Sequence, residues 1–295
     1  MKNEKRIYAL GFFDGVHLGH QALLQECRAL AEQQGCAAAA ITFDAHPQSL
    51  FLKDVPPLIS SVRDRMLLLQ THGMEYIHVY PVSSDVMSTP WDIFLEQLLE
   101  NGAAGFVCGD DFRFGHRGKG SAKELLSFCN RHGLPCRIVP EQRRNGKRIS
   151  SSLIRSLIES GEMESATHYL GHPHMLTGHV LHGQKLGRKL GVPTANLTIP
   201  EGIVTPKLGV YACRISIDGA SYPAVANVGT RPTVSGSGIT VEPWILDFSG
   251  DLYGKELRVE FHRFLRAEIK FSDLDALKHQ IQQDADQTRC YFEKS

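Results

Sequence analysis

The 295-residue sequence predicts an α/β chain in two parts: a domain built on a parallel, Rossmann-like sheet, then a small antiparallel β-barrel with a C-terminal helix. Three observations predict it. In the first half, short apolar runs alternate with segments of helical period, the rhythm of a parallel sheet with crossover helices. After residue 150 the pattern becomes β-branched alternation divided by glycine and proline turns. The last long segment, LDALKHQIQQDADQTRCYF, spaces its apolar residues as one amphipathic helix.

RIYALG predicts the first strand, and LGHQALLQECRALAEQQG the helix that follows, with leucines and alanines at helical spacing up to a terminating glycine. AAAAITF, YIHVYPV, AGFVCGD and PCRIVPE predict four further strands. PWDIFLEQLLENG carries proline at its first helical position and glycine just past its end, and AKELLSFCNRHG is a second intervening helix. SSLIRSLIESGEMESATHYLG predicts one or two short helices. MLTGHVLHG, GVYACRISIDG, YPAVANVG, ITVEPWILDF and ELRVEFHRFL then predict barrel strands, and the change of texture places the domains at 1–168 and 169–295.

Composition narrows the function. With 42% hydrophobic residues the chain can fill two cores, and 32 basic against 32 acidic residues provide no general attraction to nucleic acid or anionic membrane, so neither is expected as a partner. Seven cysteines, an odd number without a C-x-x-C pair, indicate neither a disulfide framework nor a cysteine zinc site; a reducing cytoplasm is expected. The start MKNEKRIYALGF offers no signal-peptide core, and no run reaches the ~18 apolar residues of a membrane span.

The chemistry begins at LGFFDGVHLGHQALL, residues 10–24, where a strand ends and a helix starts. Free N–H groups and the positive end of the helix dipole favour an anion there. His17 and His20, three apart on the first turn, add imidazole N–H donors, and Gly19 between them is expected to let a phosphate or sugar approach the backbone. A bare H-x-x-H also suits ordinary surface histidines, or two metal ligands, although no third ligand stands at a recognisable spacing. H-x-G-H after F-D-G favours attack at the α-phosphorus of a nucleoside triphosphate, with charge on the phosphate oxygens stabilised by the imidazoles. RISSSLIR, residues 148–155, supplies hydroxyls and arginines at another helix start, where a serine N-cap alone would need only one of its three serines.

Together G-x-F-D-G-x-H-x-G-H, T-F-D-x-H-P, G-x-D-F-R-F-G and R-I-S-S-x-x-I-R resemble the FMN adenylyltransferase module of the prokaryotic bifunctional riboflavin kinase/FAD synthetases, over the whole first half and in that family's order. The resemblance implies a nucleotidyltransferase domain in which His17 and His20 grip ATP phosphates, within a loop that includes Gly11, Phe13, Asp14 and Gly19. It assigns His46, Asp111, Phe112 and Arg113 to positioning the nucleotide or FMN, and Arg148, Ser151, Ser152 and Arg155 to the triphosphate. Phe12 stands where the family often has asparagine, Ala45 where it often has proline, and Ser152 where threonine is usual.

In the second half, HGQKLGRKLGVPTANL at 182–197 combines glycines that expose backbone N–H groups, cations, and a Thr/Asn pair able to offer oxygens to Mg²⁺. It resembles the flavokinase signature, which implies that Gly183, Lys185 and Gly187 bind ATP phosphates and that Thr194 and Asn196 contact Mg²⁺ and ATP. ANVGTRPTV and VEPWILDFSGDLYGKELRVEF continue the resemblance, and Glu242 aligns with the catalytic base. Pro243 and Trp244 follow it where the family has valine or threonine and then histidine. Proline cannot donate to a sheet ladder, so a local bend is expected there; Trp244 suits stacking on a flat ligand or a place in the packing.

The expected function is therefore double: riboflavin and ATP give FMN in the C-terminal domain, and FMN and ATP give FAD and pyrophosphate in the N-terminal one, with Mg²⁺ accompanying ATP and flavins as substrates and products. A single adenylyltransferase activity beside a weakened kinase, and a non-catalytic flavin- or nucleotide-binding regulator, are the alternatives. The sequence leaves the oligomeric state open.

Overall fold

The computed structural model describes residues 5–181, 193–233 and 236–294, with no account of the side chains of 231–237. The chain forms two compact units, Met1–Leu58 with Val62–Ser151, and Ile59–Ser61 with Ser152–Ser295. The first contains β1 (Arg6–Leu10), α1 (Leu18–Gln34), β2 (Ala37–Phe43), α2 (Val62–Thr71), β3 (Tyr76–Tyr80), α3 (Ser84–Ser88), α4 (Trp91–Glu100) and β4 (Ala103–Gly109). It continues through β5 (Arg113–Phe114), β6 (Gly120–Ser121), α5 (Ala122–His132), β7 (Cys136–Val139), β8 (Arg143–Arg144) and β9 (Lys147–Arg148).

The main sheet runs in the order β3-β2-β1-β4-β7, with every pair parallel. Its central strands are buried on both faces, which explains why Ala37–Ile41 and Ile7–Leu10 read as unbroken apolar runs. Tyr8, Leu10, Phe106 and Cys108 pack in one core with Leu95 and Leu98 of α4 and Leu125 and Phe128 of α5. Strand order reverses between β1 and β4, so their carboxyl ends flank the crevice where α/β sheets bind ligands. The five expected strands are present; α2, α3 and the β5–β6 and β8–β9 pairs are additions.

The second unit holds α6 (Ser151–Ser160, from Ser152 on), α7 (Met163–Leu170), β10 (His174–His179), β11 (Leu197–Thr198), β12 (Gly209–Ile217), β13 (Ala220–Thr233), β14 (Gly236–Ile245), β15 (Glu256–Arg266) and α8 (Leu274–Glu293). Its sheet runs β10-β15-β12-β13-β14-β11 and is antiparallel throughout its mapped pairs. The edges meet where the Leu181 N–H donates to the Asn196 carbonyl at 2.8 Å, giving a nearly closed barrel. By compactness α6 and α7 group with this barrel, although the change of sequence texture falls after them. An ion pair with a buried carboxylate fastens α8: the partly buried Arg266 guanidinium donates from Nε at 3.0 Å and Nη2 at 2.7 Å to the two carboxylate oxygens of Asp284.

Two histidines make this unit sensitive to acid. His174 begins β10, is buried against the Phe261 ring at 5.7 Å, and burial, with a smaller contribution from His172, holds its imidazole down at about 3. His262 packs on Tyr291 and Phe292 of α8, and burial followed by the Arg214 charge holds it down at about 4. An unfolded histidine takes its proton near pH ~6.5, so below that pH the unfolded chain binds more protons than the folded one and stability falls. At pH ~5 the loss is about 2 kcal/mol per histidine. Denaturant midpoints of the intact chain should therefore drop between pH 7.5 and 5; equal midpoints would show that these imidazoles are not held neutral.

Candidate functional site

The first site is a cavity of about 850 Å³ walled by the loop after β1, the start of α1, the segment after β4 and the β7–α6 connection. Gly11, Phe13, His17, Gly19, His20, Asp111, Phe112, Arg113, Arg148 and Ser151 all border it, so most of the residues expected around ATP and FMN converge. Helix α1 begins here because His17 is its N-cap: the His17 Nδ1 accepts the His20 N–H at 3.3 Å. With Nδ1 accepting, a neutral His17 ring would carry its proton on Nε2. The two imidazoles stack at 3.6 Å with 12° between planes.

Gly19 borders the cavity and has a second neighbour to accommodate. A Cβ there would lie 3.1 Å from His17 Cε1 and 3.2 Å from its Nδ1, so the missing side chain also makes room for the imidazole. Phe13, expected at the phosphates, is fully buried with φ 58° and meets the His20 ring edge-on at 5.3 Å. Gly11 leaves space for the Phe13 ring, which a Cβ would approach to 2.8 Å. Asp14 is buried outside the cavity wall, and its carbonyl accepts the Ser151 hydroxyl at 3.3 Å. His46 caps a short 3-10 turn, accepting the Gln48 N–H at 3.2 Å, with its ring edge-on to Phe12. Ser152 and Arg155 group with the second unit.

Burial holds His20 well below the usual imidazole range, and the neighbouring His17 and Arg65 push in the same direction. At neutral pH it is an uncharged ring. Arg65 is the residue that sequence reasoning missed: fully buried on α2, it donates through Nη1 to Thr42 Oγ1 at 2.9 Å and the Phe43 carbonyl at 2.7 Å, and it lies over the Phe12 ring at 4.6 Å. Burial pulls its guanidinium down, against Asp14 and Asp44, which hold it charged. The only sequence signal was an arginine at the core spacing of Leu68 and Leu69. At the rim Arg148 is gripped by Asp111 and, at 3.0 Å, by Glu141. Phe112 and Phe114 stack at 5.7 Å and Phe51, 71% exposed, adds another ring to the wall, surfaces suited to a flat heterocycle.

The second site lies in the barrel. Thr194 bridges to Trp244 and the Ala195 N–H donates to the Pro243 carbonyl at 2.9 Å, so P-T-A-N lies along β14. The expected bend is absent: Pro243 stays in register with Ala226, and although it lacks an N–H, its carbonyl accepts the Ala195 N–H. Trp244 belongs to the packing, against a cluster of Val210, Val225, Leu246 and Ala285. Glu242 stands directly across from Asn227 and accepts the Thr240 hydroxyl at 3.3 Å. Asn196 is buried, and its Oδ1 has no partner among the described residues. An orphaned amide oxygen beside a threonine hydroxyl fits a hard, oxygen-seeking cation. Gly183, Lys185 and Gly187 lie outside the described residues.

Comparison with known proteins gives each part a match. A family model described as FAD synthetase covers residues 1–153, and one described as riboflavin kinase covers 170–292. Proteins described as bifunctional riboflavin kinase/FMN adenylyltransferase share 33% identity in Listeria monocytogenes, over 98% of this chain and 93% of that protein. The Haemophilus influenzae protein of that description shares 35% over 96% and 93%. A crystal structure described as a macrolide-efflux protein from Streptococcus pneumoniae superposes with a TM-score of 0.87 at 30% identity, covering 98% of this chain and 95% of that one. Among the described residues no helix is long and apolar enough to cross a membrane.

Proposed function

The chain belongs to the bifunctional riboflavin kinase/FMN adenylyltransferase family, and from that premise we propose which of its residues carry each reaction. It phosphorylates riboflavin to FMN and adenylylates FMN to FAD. The observation that carries the assignment is that each family match contains its own cluster of chemically apt side chains, one in each compact unit. The catalytic modules are read as residues 1–168 and 169–295, with α6 and most of α7 falling by sequence in the first.

In the adenylyltransferase the FMN phosphate attacks the α-phosphorus of ATP and pyrophosphate leaves. His17 and His20 donate N–H groups to the phosphate oxygens at the N-terminus of α1, where the helix dipole adds to them. Arg148 exchanges carboxylate partners for phosphate oxygens, and Ser151 adds a hydroxyl. The aromatic wall of Phe112, Phe114 and Phe51 receives the flavin or adenine ring. Gly19→Ala should crowd His17, which must give by a few tenths of an ångström, and lower FAD formation by up to about 10-fold, less than a full ångström of misplacement costs, while FMN formation from riboflavin stays at its original rate.

In the kinase Glu242 takes the proton from the riboflavin 5′-hydroxyl as that oxygen attacks the γ-phosphorus and ADP leaves. Asn196 and Thr194 would hold Mg²⁺ with ATP, and the ion supplies charge neutralisation on the phosphates. The reading of one activity beside a weakened kinase rested on Pro243 and Trp244, which sit in an unbroken strand. The substrates are riboflavin, FMN and ATP, and a cytoplasmic setting is supported by seven free cysteines. The test is chromatographic: riboflavin and FMN, each with ATP and Mg²⁺, should yield FMN plus FAD and FAD alone, and failure to convert one of them removes the corresponding site assignment.

A further inference from the structure

Glu268 follows β15 and stands far in sequence from Glu242, yet two observations draw it to the same face of the barrel. Asn227 Nδ2 donates to Glu268 Oε1 at 3.0 Å. Two residues along β13, on the face that Asn227 shares, a Cβ at Gly229 would lie 2.6 Å from Glu268 Oε1 and 3.0 Å from Asn227 Nδ2. Gly229 is thus the gap through which the carboxylate reaches the asparagine. Across the strand pair, Asn227 faces Glu242 and Gly229 faces Thr240, whose hydroxyl donates to Glu242. Directly opposed side chains on one face have Cβ atoms ~4.5–5.5 Å apart. Glu268, Asn227, Glu242 and Thr240 therefore form one polar group.

We propose that Glu268 is a positioning residue for phosphoryl transfer to riboflavin, acting through Asn227 on the sheet face that carries Glu242. The inference rests on the reading of Glu242 as the base. An asparagine amide has two N–H donors and one oxygen; engaging Nδ2 with Glu268 fixes the rotation of that amide and so the polar surface Glu242 and the substrate hydroxyl meet. Glu268 itself touches no reacting atom. Its carboxylate needs to accept a hydrogen bond, which a glutamine oxygen also does.

Glu268→Ala should lower kcat for FMN formation by about 10- to 100-fold, with the KM for ATP nearly unchanged. Glu268→Gln should restore most of that loss. Gly229→Ala, which removes no functional group, should reproduce the alanine phenotype by displacing the carboxylate. Asn227→Ala combined with Glu268→Ala should be no worse than the more damaging single change, because both break one contact. An unchanged kcat in Glu268→Ala, no rescue by glutamine, or losses that add in the double variant would overturn the proposal. Thermal midpoints of the same proteins separate lost folding from lost positioning. Glu242→Gln judges the underlying reading separately: full kinase activity there refutes the base assignment whatever Glu268 does.

Discussion

Replacing His20 with alanine should lower FAD formation from FMN by about 100- to 1,000-fold, the usual cost of removing one preorganised donor to developing oxyanion charge. FMN formation from riboflavin should continue at its original rate. The magnitude follows from the geometry: the His20 ring borders the cavity, stacked on His17 at 3.6 Å and braced edge-on by Phe13 at 5.3 Å. The sign of the pH dependence follows from its neutrality. Burial holds the imidazole well below 6.5, so it is already deprotonated across the neutral range. FAD formation should show no loss attributable to His20 as pH rises through 6.5, whereas a histidine acting as a cation would lose activity there. A pH profile of kcat/KM for the unaltered chain beside the His20→Ala variant measures both effects.

Glu242→Gln should produce the converse pattern. Glutamine keeps the shape and an oxygen for the Thr240 hydroxyl, which Glu242 accepts at 3.3 Å, but it cannot take the proton of the attacking alcohol. The expected fall in FMN formation is about 100- to 10,000-fold, the range of general-base contributions. FAD formation from supplied FMN should be untouched. Since the change is isosteric, the strand register that opposes Glu242 to Asn227 should survive, and an unaltered unfolding midpoint would show it.

Much of this was legible in the sequence because the chemistry is written in contiguous motifs. The β1–α1 junction announced itself in G-F-F-D-G-V-H-L-G-H, and the parallel strands in their apolar runs. What was illegible depends on contacts across long stretches of chain. Arg65 looks like an ordinary helical arginine until β2 and the Phe12 loop close over it. Glu268 looks like a solvated charge until β13 brings Asn227 to it, 41 residues away in sequence. At Gly19 the motif shows where a small residue stands, while the fold adds that a Cβ there would press on the His17 ring, a neighbour that the motif does not name. Pro243 was read as a bend; the neighbouring P-T-A-N segment uses its carbonyl, and the strand runs through.

The central claim is that one chain carries two separate sites, one built on His17 and His20 and the other on Glu242. Mixing the two single variants, His20→Ala and Glu242→Gln, with riboflavin, ATP and Mg²⁺ and following products by chromatography tests it most directly. Each variant alone should fail to convert riboflavin to FAD, the first stopping at FMN and the second leaving riboflavin unchanged, and the mixture should make FAD. Loss of both activities in either variant, or a mixture that accumulates FMN without FAD, would contradict the account.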